Sequence, residues 1–277
     1  MIWIDYVFHK QTLRELTKIY SLDKKTIYSH ILKYTIKEKI HNPRPVRLLV
    51  DALYFGDRNE NTTWCVVVFR DDITKENLWW AFTETETTSV YVQGKSFLEE
   101  KGYNILSVTG DGFSAIRQSF LGIPYQMCQV HMERLVIRGT TRSPLLLPGQ
   151  ALLALTRSIF DTDRETFTRR LNEFTFRYKD FLNEKATSVV TGQTWYVHDG
   201  LRSAYVSIKN FLPYLFTYEK DNQIPRTTNS LEGHFAHIRD VVNIHRGASR
   251  YLKEKILHTI LLASTISPKD EELDDIL

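Results

Sequence analysis

Three carboxylates in this 277-residue chain stand where chemistry is one explanation for them and simple folding is another. Asp51 interrupts an apolar run, VRLLVDALYF over residues 46–55. Burying a carboxylate there unpaired would be costly, so the position calls for a sheet edge or a function. Asp111 lies in Gly110-Asp111-Gly112, which also reads as an ordinary turn. Glu232 follows Asn229 by three residues, a capping-box spacing that would explain it without any chemistry. Taken together, their hard oxygen ligands suit Mg²⁺ or Mn²⁺. Two such ions about 3.5–4 Å apart can activate an attacking oxygen and stabilise a leaving one in an in-line phosphoryl displacement.

Other residues offer less specific chemistry. Cys128-Gln-Val-His131 could form half of a zinc site, with His234, His237 or His245 supplying the rest; an inert packed thiol is the alternative. His234 and His237 share one helix face and are read as solvated. Trp195, in TWYVHDGLR, is read as core, with stacking on an unpaired base as the second reading.

The surrounding pattern supplies elements able to position the carboxylates. Residues 46–55, 62–69 (TTWCVVVF) and 78–82 (LWWAF) have the β-branched and aromatic texture of strands, with polar turns at Glu60-Asn61 and Asp71-Asp72. The spacing predicts a three-stranded meander, then a helix over 89–101 with Val92, Phe97 and Leu98 inward. A strand at 105–108, a helix at 113–121, a strand at 125–130 and a helix from His131 follow. Strand, strand, strand, helix, strand, helix, strand is the order of a ribonuclease-H-like α/β core with a mixed sheet. Its first and fourth strands are neighbours, which would bring Asp51 and Asp111 together, and the helix bearing Glu232 would add the third ligand. From 150 to 218 helical periodicity dominates, so an all-helical insertion, about 140–224, is expected before Glu232. A closing helix is expected over 250–264.

Ahead of this core, Leu13, Leu16 and Ile19 recur at helical spacing. Ser21-Leu22-Asp23 breaks the pattern, and Asp23 is a good N-cap for a second helix over 24–34. Ile27 and Ile31 would face inward, and Lys24, Lys25, Thr26, Tyr28 and Ser29 outward. A helix-turn-helix over residues 1–41 with a cationic second helix suits a DNA groove, and a plain helical hairpin packed on the next domain is the alternative. Asn42-Pro43-Arg44-Pro45 reads as a stiff linker into a catalytic domain over 42–265.

Composition agrees with a folded globular protein. Hydrophobic residues make up 42% of the chain and charged residues 25%, values that exclude a disordered or fibrous protein. No apolar run reaches the length of a membrane span, the first residues lack a signal-peptide layout, and two cysteines fit a reducing cytoplasm. The net charge of +3 hides a gradient. Residues 1–47 carry ten basic against four acidic side chains, whereas 269–277 carry one against five, so 266–277 is expected to be a disordered acidic tail. The basic head is the expected source of phosphate affinity.

The blocks TGDGFSAI (109–116), CQVHMERL (128–135) and RTTNSLEGHFAHIRDVVNIHRG (226–247) resemble those of Mutator-like DDE transposases, the enzymes of prokaryotic insertion sequences and their eukaryotic relatives. The resemblance extends from the helix-turn-helix to about residue 265. It implies a ribonuclease-H-like fold, with Asp51, Asp111 and Glu232 as catalytic residues and ligands of two Mg²⁺ or Mn²⁺ ions. It also implies terminal inverted repeats and target DNA as partners, a homodimer on paired ends and a cytoplasmic or nucleoid location. Arg226, Thr228, His245 and Arg246 become candidate phosphate contacts, and Cys128 and His131 a packing or DNA-contact motif near the active site. Relatives often carry a further DNA-binding element, sometimes a zinc ribbon, ahead of the helix-turn-helix, and no Cys pair precedes it here. A non-catalytic DNA-binding descendant and another ribonuclease-H-like nuclease are the competing readings.

Overall fold

The structure is a computed structural model that describes residues 1–57 and 59–263. The expected acidic tail lies outside the described residues. Helices α1 (Ile2–Val7), α2 (Leu13–Tyr20) and α3 (Lys24–Lys33) precede strands β1 (Pro45–Phe55), β2 (Trp64–Asp71) and β3 (Asn77–Thr83). Then come α4 (Thr88–Glu100), β4 (Asn104–Gly110), α5 (Ser114–Ser119), β5 (Tyr125–Met127) and α6 (Gln129–Thr140). Helices α7 (Leu147–Arg157) and α8 (Arg164–Asn183), strands β6 (Lys185–Thr187) and β7 (Thr194–Tyr196), and helix α9 (Asp199–Leu215) follow, before α10 (Asn229–Ile244) and α11 (Arg250–Ala263).

The five-stranded sheet has the order β3-β2-β1-β4-β5. Strand β2 pairs antiparallel with both β1 and β3, and β5 runs parallel to β4. This is the ribonuclease-H-like α/β sheet that the order of elements predicts. Two compact units make up the chain: Met1–Asn104 with the segment from Asn229 onward, and Ile105–Thr228.

In the first unit, all eight residues of β2 are buried, so β-branched and aromatic side chains are needed on both of its faces. On one face Val66 and Val68 share a core with Leu49 and Leu53 of β1, Leu231, Phe235 and Ile238 of α10, and Leu252, Ile256 and Ile260 of α11. On the other, Phe69 stacks 6.1 Å from Tyr91 of α4. Helix α4 turns Leu98 inward as expected, together with Tyr91 and Gly94, whereas Val92, expected inward, is exposed.

The N-terminal helices contribute Trp3, Tyr6, Val7, Leu16, Ile27 and Ile31 to the core of α10 and α11. Helix α1 lies ahead of the periodic stretch, and six residues are too few to show a helical repeat. Asp23 caps α3 through the amides of Lys25 and Thr26, as expected. Lys255 of α11 donates to the carbonyls of Ile31 and Leu32 at its far end, satisfying groups the helix leaves open. Ile19, expected inward, is exposed, because Ser21 closes α2 in the left-handed conformation and only Leu16 turns fully into the core. The segment 34–44 is held by ion pairs of Arg44 with Asp71 and Glu76 and of Lys39 with Glu76.

In the second unit the predicted helical stripes form the interior: Leu152, Ile159, Phe167, Leu171, Ile208 and Leu215 are buried. The insertion is not wholly helical. Residues 185–196 form a hairpin, Lys185↔Tyr196 to Thr187↔Thr194, whose turn uses Gly192 at φ +70°. Three-residue strands are too short to display alternation, which hides the hairpin from periodicity.

Candidate active site

Asp51 lies in mid-strand, paired across the ladder with Val68. Alternation along β1 puts it on the same face as Leu49 and Leu53, and both belong to the core shared with α10. Asp51 is half-buried, and its Oδ1 accepts the Ala52 amide at 2.8 Å. Helix α10 packs on β1, and Glu232 lies within it between Leu231 and Phe235, two of the side chains that anchor the helix. Asn229 is the first helical residue, so Glu232 occupies the fourth position of the helix, one beyond the capping-box site. The spacing that offered a purely structural explanation for Glu232 therefore does not hold in the folded chain.

Two residues after Glu232, half-buried His234 faces a polar network rather than solvent. Arg70 Nη1 donates to Asn77 Oδ1 at 2.9 Å, and Asn77 Nδ2 reaches His234 Nε2 at 3.1 Å and the Leu261 carbonyl at 3.1 Å. Burial, with Arg70 and His237 nearby, pushes the imidazole down to about 3. His237, one turn on, is exposed as expected.

In the second unit Asp111 directly follows β4, at the carboxyl end of the parallel β4–β5 pair, the edge where open α/β sheets place their ligands. Its Oδ1 accepts the Phe113 amide at 2.9 Å, closing an Asx turn. Gly112 adopts φ +96°, and a Cβ there would meet Met127 Sδ and Phe211 Cζ at 2.9 Å. The Gly112 amide donates to the Tyr125 hydroxyl at 2.9 Å. Burial, and secondarily Asp111, raise the Tyr125 phenol, which keeps it a neutral hydroxyl. Tyr125 thus holds the Gly112 turn, a contact that sequence reasoning missed, because one tyrosine in a short strand carries no motif.

Cys128 follows β5 at the same edge, its amide donating to the Gly110 carbonyl at 2.8 Å. The buried thiol receives the Thr228 amide at 3.3 Å and lies 3.4 Å from the Thr228 hydroxyl, which is also 3.4 Å from His131 Nδ1. Burial pushes the thiol up, but His131 and Thr228 outweigh it, and the net direction is downward. The Gln129 amide donates to the Arg226 carbonyl at 3.0 Å, and Thr109 donates to the Pro225 carbonyl at 2.8 Å. The motif thus ties residues 225–228 to the carboxyl ends of β4 and β5.

This placement corrects several expectations. Thr228 is fully buried on Cys128 and does not present its hydroxyl to DNA. His245 is buried too, packed against Tyr6 with ring centroids 4.0 Å apart and planes tilted by 32°, and its Nε2 donates to the Tyr6 carbonyl at 2.8 Å. His234 Nε2 and His245 Nε2 are engaged by Asn77 and by the Tyr6 carbonyl. Arg226 and Arg246 are exposed, and Arg226 lies 4.0 Å above the Tyr218 ring. Lys24, Lys25 and Tyr28 are exposed on α3, whereas the Thr26 hydroxyl is used in the Asp23 cap. Trp195, expected in the core, is 50% exposed.

Asp51 and Glu232 thus belong to elements that pack together in one unit, and Asp111 belongs to the other unit. Among the described residues no three His, Cys, Asp or Glu side chains group closely enough to hold a metal ion. The donor chemistry of the carboxylates nonetheless fits Mg²⁺, which takes one or two carboxylates and completes its shell with water and phosphate oxygens. No helix among the described residues is long and apolar enough to cross a membrane.

No protein-family model matches the chain, and no curated protein sequence matches it. Among solved structures it is similar to the Drosophila P element transposase strand transfer complex, with a TM-score of 0.44 and 11% identity over 98% of this chain and 92% of that one. It is also similar to the simian T-cell lymphotropic virus intasome in complex with the PP2A regulatory subunit B56 gamma. There the TM-score is 0.26 and the identity 9%, over 73% of this chain and 71% of that one.

Proposed function

We propose that this protein is a DNA transposase of the Mutator-like DDE type, with Asp51, Asp111 and Glu232 as its catalytic carboxylates. The observation that carries the reading is the placement of Asp51 on the α10-covered face of β1, inside an otherwise apolar core, with Glu232 on the covering helix. Flanked on that face by Leu49 and Leu53, half-buried Asp51 offers carboxylate oxygens beside the helix that carries Glu232. Asp111, at the carboxyl end of β4 in a turn fixed by Gly112 and Tyr125, is the third member.

Two Mg²⁺ or Mn²⁺ ions held by these carboxylates would supply the Lewis acidity for phosphoryl transfer. Water attacks the phosphodiester at the element's end and releases a 3′-hydroxyl, which then attacks target DNA. No covalent enzyme intermediate forms, so no serine or tyrosine nucleophile is required. Lys24, Lys25 and Tyr28 of α3, with Arg226 and Arg246, contact the DNA, and a homodimer holds paired ends.

The test is metal-dependent nicking and joining of terminal-repeat DNA by wild type, Asp51→Asn, Asp111→Ala and Glu232→Gln. The reading expects both activities in wild type and neither in the variants, with melting temperatures kept. Equal nicking in wild type and variants overturns the carboxylate assignment, and nicking without joining makes the protein a nuclease.

A further inference from the structure

A cleft of about 580 Å³ opens in the first unit, outside the region of the three carboxylates. One wall is Thr12, Arg14 and Thr17 around α2, with Lys24 and Tyr28 of α3. The opposite wall is the α10–α11 connection, Gly247 to Ser249. Its floor is the buried pair Tyr6 and His245, held by their ring contact and by the bond from His245 Nε2 to the Tyr6 carbonyl.

The charge of this cleft is one-sided. Arg14 and Lys24 line it, no carboxylate does, and neither cation enters an ion pair among the described residues. The two acidic side chains next to them in sequence are turned back into helix caps. Glu15 binds the Thr12 amide and hydroxyl, and Asp23 binds the amides of Lys25 and Thr26. Opposite the cations, a Cβ on Gly247 would meet nothing within 4 Å, so this wall presents bare main chain to open space. Hydroxyls of Tyr28 and Ser249 add neutral hydrogen-bonding groups. Two uncompensated cations, hydroxyls and an accessible main chain on a rigid floor suit a run of phosphodiesters.

We infer that this cleft holds the backbone of duplex DNA, with Arg14 and Lys24 each on a phosphate and the Gly247 loop against the same strand. The inference rests on the proposed action on DNA and adds a specific grip to it. The N-terminal helices then act with the end of α10 as one clamp. From Glu232 to His245 is 13 residues along and just past α10, about 20 Å, so the clamp grips DNA away from Glu232.

The experiment is the salt dependence of affinity for a 30-base-pair duplex, with the full chain as wild type, Arg14→Gln/Lys24→Gln and Gly247→Trp. Each lost phosphate contact reduces the slope of log K against log salt by about 0.9, so the double variant is expected to lose about 1.8. Gly247→Trp fills the cleft while keeping every charge, and is expected to weaken binding with an unchanged melting temperature. An unchanged slope in the double variant, or unchanged affinity in Gly247→Trp, overturns the clamp. A wild type that shows the cleft-dependent slope but never nicks DNA overturns the transposase reading and leaves the clamp standing.

Discussion

Asn77 Nδ2 lies 3.1 Å from His234 Nε2, and the amide nitrogen can only donate, so the imidazole accepts and is neutral with its proton on Nδ1. The same Asn77 receives Arg70 through its Oδ1, leaving a cation near an imidazole that must stay uncharged. Burial lowers the imidazole to about 3, with Arg70 and His237 adding to the effect, against an ordinary value of 6.5. Because the folded value is below the unfolded one, the unfolded chain binds the extra proton first. Stability contributed by this site is whole above pH 6.5 and is lost as pH falls toward 3. Between pH 6.5 and roughly pH 5 the loss is about 2 kcal/mol. Denaturant melts of wild type and His234→Gln at pH 7 and pH 5 check this, with the variant expected to lose less on acidification. The same acid loss in both would rule out His234 as its source.

The two thiols are expected to titrate far apart. Burial drives Cys65 up to about 12, reinforced by Glu86. Cys128 is also buried, yet its bonds to His131 and Thr228 bring it below the ordinary 9.0. Thiolate absorbance appearing below pH 9 should therefore vanish in Cys128→Ser and persist in Cys65→Ser. Thr228→Val removes the hydroxyl beside the sulfur and should move that titration upward while the fold survives. A titration untouched by Cys128→Ser would refute the assignment.

Sequence carried the sheet well, because its information is local. The β1–β3 meander shows as three apolar runs with polar turns, and Asp23 announces α3 by cap chemistry alone. What sequence could not show is which polar side chain meets which across long separations. His234 looked like a surface residue because its partner, Asn77, is 157 positions away. Thr228 looked like a phosphate contact because the thiol that occupies it is 100 positions away. Asp51 was conspicuous because a charge breaks an apolar run. Tyr125 was not, since a tyrosine in a strand is ordinary and only its bond to the Gly112 amide gives it meaning.

Gly112 is expected to be a sensitive position in the second unit. Its φ of +96° strains any other residue, and an added Cβ would press on Met127 and Phe211 at 2.9 Å. Gly112→Ala should cost about 2–4 kcal/mol and shift Asp111 out of its turn. Tyr125→Phe tests the same turn more gently: the Gly112 amide loses its acceptor, for about 1–3 kcal/mol. Thermal melts give the stability terms, and nicking assays on terminal-repeat DNA should show both variants impaired at temperatures where they remain folded. Full stability in Gly112→Ala would contradict the turn geometry.

Trp195 is an exposed aromatic side chain of the second unit. On the hairpin its cross-strand neighbour is Ala186, too small to cover an indole, and the ring is 50% exposed. The adjacent Tyr196 differs: Lys185 and Arg202 lie 5.0 and 4.0 Å from its ring, so that face is occupied. A bare indole on a three-residue strand adds little to folding, and Trp195→Ala should change the melting temperature only slightly. If the ring stacks on an unpaired base, the same variant should lose about 1–3 kcal/mol, roughly 5- to 150-fold, in affinity for DNA carrying one. Affinity for fully paired duplex should stay the same. Fluorescence titration with paired and unpaired substrates separates the two, because stacking quenches the indole only when a base is free to reach it. Equal loss on both substrates would reassign Trp195 to general DNA contact, and no loss on either would leave it a surface side chain without a role in DNA binding.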